Sequence, residues 1–255
     1  MITIKTADEI ERMRDASRVV ALALQAVAAN VRVGATPIEL DALAADVMRE
    51  HRAQSSFQGY HPSWAPTPFP AVTCMSVNDV IVHGIPDERP LQLGDVVSVD
   101  CGASIAGYHG DAAMTIVVGE GGGADAALSD ATRRALHAGI HAAVPGARLG
   151  DLGAAIAEVG RAAGYGILAD HGGHGIGTAM HEDPHIPNTG RAGRGVQLVV
   201  GMVIALEPMF HAGGGDGYRK LADGWSVATE DGSNAAHWEH TIAITADGPR
   251  VLTTL

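Results

Sequence analysis

Four carboxylates border segments otherwise built from aliphatic and small residues. Asp100 closes Val96-Val97-Ser98-Val99, and Asp111 opens Ala112-Ala113-Met114-Thr115-Ile116. Glu207 closes Val203-Ile204-Ala205-Leu206, and Glu239 precedes His240-Thr241-Ile242-Ala243-Ile244. A buried ionised carboxylate is strongly unfavourable unless it is protonated, paired with a cation or bound to metal. Any one of these acids alone reads as an exposed strand end or an arginine partner. Taken together they do not, because residues 92–118 contain neither lysine nor arginine. A chain reversal around residues 105–107 sets Asp100 and Asp111 nearly opposite each other, with Cβ atoms about 5 Å apart. Carboxylates that close repel unless cations lie between them. His174, in Gly172-Gly173-His174-Gly175-Ile176-Gly177, adds an imidazole where glycines would let backbone approach a ligand. Such an oxygen-rich site with one nitrogen suits Mn²⁺, Fe²⁺ or Co²⁺, with Zn²⁺ also accommodated. Two shared carboxylates would hold a pair of ions roughly 3.5–4 Å apart, a geometry suited to hydrolysis.

The elements that must position these residues follow a repeating order. Apolar residues at Ile10, Met13, Val20, Leu24 and Val27 have helical spacing, predicting a helix over 7–29. Thr36, Pro37 and Glu39 form a helix start, and that helix runs to about residue 50. Strands are predicted at 73–82 and 95–118, followed by a flexible glycine tip at 119–123. Helices return at 124–144 and 149–163, and strands at 196–210 and 237–245. Three segments recur in the same order: Gly34 to Val47 with Gly146 to Val159, Gly94 to Asp100 with Gly201 to Glu207, and Asp111 to Ile116 with Glu239 to Ile244. The expectation is an α+β fold in which a duplicated unit packs about a pseudo-twofold, with an antiparallel sheet at the centre and helices outside. Residues 1–255 would form one catalytic domain of two halves, about 1–120 and 121–255.

Composition narrows the field. The chain has 255 residues, 46% hydrophobic and 18% charged, enough for a substantial core. A net charge of -12 argues against nucleic acid or an anionic membrane surface as the main partner. Cys74 and Cys101 are the only cysteines, so a disulfide scaffold or cysteine-built zinc module is excluded, and both read as small core residues. Early acids at Asp8, Glu9 and Glu11 do not suit a leader peptide, and the apolar stretch at 19–31 is too short to cross a membrane. A cytoplasmic protein is expected.

Two motifs mislead. His181-Glu182-Asp183-Pro184-His185 has the letters of a zinc-protease helix, but Pro184 disfavours helix at Asp183. The glycine clusters match no phosphate-binding spacing. His61, His109, His137, His141, His211 and His237 read as ordinary surface or core histidines.

The residues closest to these acids carry a family resemblance. The segments Asn78 to Pro86, Gly107 to Asp111, Gly173 to Gly177, His181 to Pro184, Leu206 to Met209 and Glu239 to Thr241 resemble type I methionine aminopeptidases, in order and across essentially the whole chain. Only 25 residues separate His181 from Glu207, which leaves no room for the long insert of type II enzymes.

The resemblance implies a "pita-bread" fold and two divalent metals. Their ligands would be Asp100, Asp111, His174, Glu207 and Glu239, with Asp111 and Glu239 bridging. It implies hydroxide attack on the first peptide bond, with Glu207 as proton shuttle. His181 would stabilise the oxyanion or hold the scissile amide, and His83 would position the peptide. Phe57, Tyr60, Cys74, Met180 and Trp225 match the methionine pocket. Met180 stands where an aromatic is expected, which would widen that pocket, and the proline-rich stretch at 62–70 is longer than usual beside it.

The implied activity is removal of initiator methionine from nascent proteins with a small second residue. The implied partners are nascent N-termini, with the ribosome near its exit tunnel as a place of action and a monomer as the expected state. Two other readings keep this fold: a proline-specific aminopeptidase or dipeptidase, and a metal-free binding protein. The second would be expected to have lost ligands, and all five are present.

Overall fold

The computed structural model describes residues 1–119 and 122–255; positions 120 and 121 of the predicted glycine tip lie outside the described residues. Among the described residues, four helices carry the outer layer: α1 (Ala7–Ala28), α2 (Pro37–Glu50), α3 (Gly123–Ala142) and α4 (Leu149–Ala162). The first two start on capping boxes, Thr6 with Glu9 and Thr36 with Glu39, in which hydroxyl and carboxylate satisfy otherwise orphaned N–H groups. At the start of α4, Asp151 accepts from the Arg148 N–H at 2.7 Å, as Glu39 accepts from the Thr36 N–H at 3.0 Å. Gly34 and Gly146, two residues before these caps, both have positive φ, 85° and 91°. The recurrence read from sequence therefore extends to turn geometry.

Helix α1 lays Val20, Ala23, Leu24 and Val27 against the hairpin of strands Val96–Ile105 and Tyr108–Val117. At Gly110 the approach is so close that a Cβ would lie 2.4 Å from the Ser17 hydroxyl. Helices α3 and α4 pack on each other and cover Ile204, Leu206, Ile242 and Ile244 with Leu136, Ile140, Leu149 and Leu152.

Between the helices, the strands form antiparallel sheets. Val96–Ile105 pairs with Gln54–Ser55, Thr73–Val77 and Tyr108–Val117. A five-stranded sheet runs in the order Gly248–Val251, His240–Thr245, Val203–Leu206, Gly172–Gly175, Glu182–Pro187. Paired backbone hydrogen bonds between Ala113 and Glu239 join the two. Two three-stranded sheets complete the layer, with Phe210 of Met209–His211 and Val227 of Val227–Thr229 as buried centres.

The hairpin closes on Ala106 and Gly107, both with positive φ, so Ile105 pairs with Tyr108. This register sets Asp111 opposite Gly102 and Asp100 opposite Ala113. The two aspartates are therefore diagonal neighbours on one face, near each other as expected from sequence but offset by two residues in register. The tightness of the two-residue turn is the reason.

The strand expected from residue 196 begins only at Val203. Residues 196–198 instead run beside the start of α4, where the Val196 carbonyl accepts from the Leu149 N–H and the Ala147 carbonyl from the Leu198 N–H. Among the described residues, no helix is long and apolar enough to cross a membrane.

Candidate metal centre

Asp111, His174 and Glu239 offer ligand atoms that lie within 4.8 Å of one another, and all three residues are buried. Each arrives on a different element. Asp111 lies on the hairpin's second strand, His174 on the short strand Gly172–Gly175, and Glu239 just before His240–Thr245. Asp100 contacts the Asp111 carboxyl on the hairpin face. Glu207 follows strand Val203–Leu206, with Oε1 3.8 Å from His174 Nε2. The backbone fixes Asp111 firmly: Thr241 Oγ1 accepts from its N–H at 2.9 Å and donates to its carbonyl at 2.8 Å.

His174 Nδ1 donates to the Gly175 carbonyl at 2.9 Å, which leaves the Nε2 lone pair free and aimed at the acids. This is the arrangement that orients metal-binding imidazoles. The neighbouring glycines have a packing requirement that sequence did not suggest. A Cβ on Gly173 would lie 2.1 Å from the Ala205 carbonyl oxygen, and one on Gly175 2.1 Å from that of Asp183. They allow strands to close on either side of the histidine.

The electrostatics have one sign. Burial raises Asp100 to about 7. Burial, and then the charges of Glu239 and Asp100, push Asp111 well up. Glu207 and Glu239 rise for the same reasons. Burial lowers His174 to about 3. Among the described residues no lysine or arginine lies within 4.0 Å of these four acids; their only basic neighbours are His174 and His237. Asp100 Oδ1, Asp111 Oδ1 and Glu239 Oε1 are buried without a hydrogen-bond partner. Carboxylates crowded together, short of donors and facing a free imidazole lone pair fit divalent cations.

Beside the acids lies a cavity of about 300 Å³. Its apolar walls are Phe57, Phe69, Cys74, Met180 and Trp225, and Tyr60, Trp64, His83 and His181 frame its mouth. Every residue singled out above as ligand, catalytic group or pocket wall lines this one cavity. Burial and the Asp100 charge raise the Cys74 thiol, which makes it an inert wall and not a nucleophile. His83 sits among aromatic rings, and burial lowers it to about 4. The His181 ring lies 4.4 Å from that of His174 and 5.3 Å from that of Tyr60.

Sequence reasoning missed three groups here. Phe69 and Trp64 come from the proline-rich stretch and face the cavity. A signal existed: five of the chain's ten aromatic residues line this wall. His237, set aside as ordinary, is buried with Nε2 3.6 Å from Glu207 and 3.8 Å from Glu239. Glu182, central to the misleading His181–His185 string, is not part of the acid cluster and binds the Lys5 ammonium at 2.7 Å. Its segment, Glu182–Pro187, is a strand.

Comparison with known proteins agrees with this geometry. Residues 11–246 match the model of metallopeptidase family M24. The chain is 49% identical over 256 residues to methionine aminopeptidase 1 of Mycobacterium tuberculosis, covering 98% of this chain and 94% of that protein. It is 41% identical over 257 residues to methionine aminopeptidase of Aquifex aeolicus, covering 100% and 99%. The crystal structure of methionine aminopeptidase from Thermotoga maritima superposes with a TM-score of 0.95 at 41% identity, over the full length of both chains. Prolidase from Pyrococcus furiosus gives 0.76 at 25% identity, covering 99% of this chain and 65% of that one.

Proposed function

The chain belongs to metallopeptidase family M24 and has its pita-bread fold, and from that premise we propose that it removes the initiator methionine from nascent proteins whose second residue is small. The observation that carries this reading is a cluster of buried acids with a free imidazole lone pair, lining the same cavity as the sulfur-compatible walls Phe57, Phe69, Cys74, Met180 and Trp225. Asp100, Asp111, His174, Glu207 and Glu239 would hold divalent ions there. Mn²⁺, Fe²⁺ and Co²⁺ suit these donors, and Zn²⁺ is accommodated. Such ions, when bound, supply Lewis-acid polarisation and a hydroxide nucleophile at neutral pH.

The chain's own groups do the rest. The apolar walls hold the methionine side chain, with Met180 as a pliable face. His83 positions the peptide, and its lowered basicity keeps it neutral at pH 7. His181, at the rim of the acids, steadies the scissile carbonyl oxygen or amide. Glu207, raised by burial and neighbouring charge, is suited to take a proton and return it to the leaving amine. Residues 1–255 act as one catalytic domain, in which each half contributes two acids. Nascent N-termini are the substrates, met in the cytoplasm as they leave the ribosome, by a monomer.

The test is methionine release by chelated protein reloaded with each metal. Met-Ala-Ser is expected to be cleaved, and Met-Leu-Ser and Leu-Ala-Ser far more slowly. No release with Mn²⁺, Fe²⁺ or Co²⁺ overturns the reading. Cleavage of Ala-Pro peptides but not Met-Ala-Ser would replace it with a proline-specific one.

A further inference from the structure

A second, wider cavity of about 900 Å³ reaches Glu207 of the acid cluster and shares Trp64, His83, His174, His181, Glu207 and Trp225 with the smaller one. With the first side chain in the smaller cavity and the scissile bond at the acids, the rest of a peptide leaves through this wider space. Trp64 stands in its wall, 53% exposed.

The loop that carries Trp64 is pinned at both ends. At its base Tyr60 and Phe69 exchange a backbone hydrogen bond of 2.9 Å, and Gly59 adds another to Phe69. Near its tip the Trp225 indole donates to the Thr67 carbonyl at 3.1 Å. Pro66 sits so close to Gly224 that a Cβ there would meet its Cγ at 2.3 Å. Trp64 is thus presented by a braced loop. Its ring stacks on His83 at 6.2 Å and 25°, and meets Trp225 edge-on at 5.0 Å.

Over the indole, 5.6 Å from its centroid, lies the Lys220 ammonium. Lys220 is the one lysine or arginine in this cavity wall, and among the described residues it has no carboxylate within 4.0 Å. Two of the acids nearby are engaged elsewhere: Glu182 with Lys5 and Asp183 with the Met1 ammonium. Asp170 also lines the wall, without a basic partner among the described residues. Lys220 stands two contacts, of 6.2 and 5.6 Å, beyond the His83 ring. Their sum is the most that can separate Lys220 from the His83 ring, at most the reach of roughly three extended residues.

On the aminopeptidase reading above, we propose that Trp64 and Lys220 form a subsite for the third or fourth residue of the substrate, the indole supporting its aliphatic stem and the ammonium selecting a carboxylate. In a chain of net charge -12, with acids lining the route, this one cation decides whether an acidic residue is repelled or accepted.

Peptides Met-Ala-X-Ser-Ser and Met-Ala-Ser-X-Ser, with X as Glu, Gln or Lys, read this directly as ratios of kcat/KM in the metal-loaded enzyme. At one position at least, Glu should exceed Gln by about two- to five-fold, the scale of a solvent-accessible ion pair. Added salt should shrink the ratio. Lys220→Ala should bring Glu down to Gln, Lys220→Glu should invert Glu against Lys, and Trp64→Ala should weaken the preference more than Trp64→Phe. Equal Glu and Gln rates at both positions in a protein that does release methionine overturn the subsite and leave the aminopeptidase reading standing. A Glu preference that survives Lys220→Ala also overturns it. No methionine release from any peptide overturns both.

Discussion

Glu182 and Glu239 are both shielded from water, with side chains 9% and 2% exposed, yet they are held in opposite ways. Burial raises Glu182, but its hydrogen bonds to Lys5 and Thr3 outweigh that and leave it below the usual carboxylate range. Its other oxygen accepts the N–H groups of Thr178 and Ala179, at 2.9 and 3.3 Å. Burial raises Glu239 too, and there the charges of Glu207 and Asp100 add to it. One of its oxygens has no partner. Glu182 has its cation built into the chain and ties residues 1–5 to the strand Glu182–Pro187. Glu239 needs one from outside. A buried acid with its own lysine suits a structural role, whereas a group of buried acids with none suits a cation-binding one.

The contrast can be broken most severely at the acids. Glu239→Ala and Asp111→Asn should lower metal affinity by more than the roughly 100-fold that loss of an outer hydrogen-bond partner costs, and should abolish methionine release. Metal analysis after gel filtration, beside circular dichroism, checks that the fold survives. A variant that keeps wild-type metal content would remove the distinction between the two glutamates.

His181→Ala should lower kcat/KM by about 10²- to 10³-fold, as loss of an oxyanion donor does, while metal content stays at the wild-type level. Steady-state kinetics and metal analysis on one preparation decide this. Lost metal would make His181 a ligand instead.

Acidity separates the two regions by sign. In chelated protein the acids of the cluster titrate above their unfolded values, Asp100 at about 7. The folded chain then holds more protons than the unfolded one. Stability from these groups is full below about pH 4 and is lost as pH rises toward 7. Bound cations require the ionised acids, so the Tm gap between Mn²⁺-loaded and chelated protein should widen from pH 5 to pH 7.5. Scanning calorimetry would show it, and a constant gap would contradict it. Glu182 behaves oppositely: its contribution is present above its unfolded value and fades as pH falls.

The smallest effect belongs to Lys5. Lys5→Met should cost about 3 kcal/mol of stability in urea titration, as removal of one partner from a buried pair does, and should leave metal content unchanged. A change in metal content would mean that the two regions are coupled.

Much of this was legible in sequence because the cost of burying charge is local. An acid ending an aliphatic strand, with no lysine or arginine from 92 to 118, points to a cation whatever the fold around it. Helix starts at Thr36 and Pro37 were equally plain. Register was not, since it hangs on the two-residue turn at Ala106 and Gly107, which moved Asp111 from opposite Asp100 to its diagonal. Strands of two or three residues, such as Gly166–Ile167, Tyr218–Lys220 and Val227–Thr229, are too short to show a period. His237 escaped notice because only the fold brings Ala235–His237 beside Glu207, and Lys5 because its partner lies 177 residues away. The bracing of residues 62–70 depends on Gly224 and Trp225, which nothing local to that stretch reveals.

The most direct measurement is a Mn²⁺ titration of chelated protein that follows bound metal and methionine release from Met-Ala-Ser together. The acid cluster should take up about two equivalents, with turnover rising as they bind and absent before. Turnover that persists in chelated protein, or equal uptake by Glu239→Ala, would contradict the account.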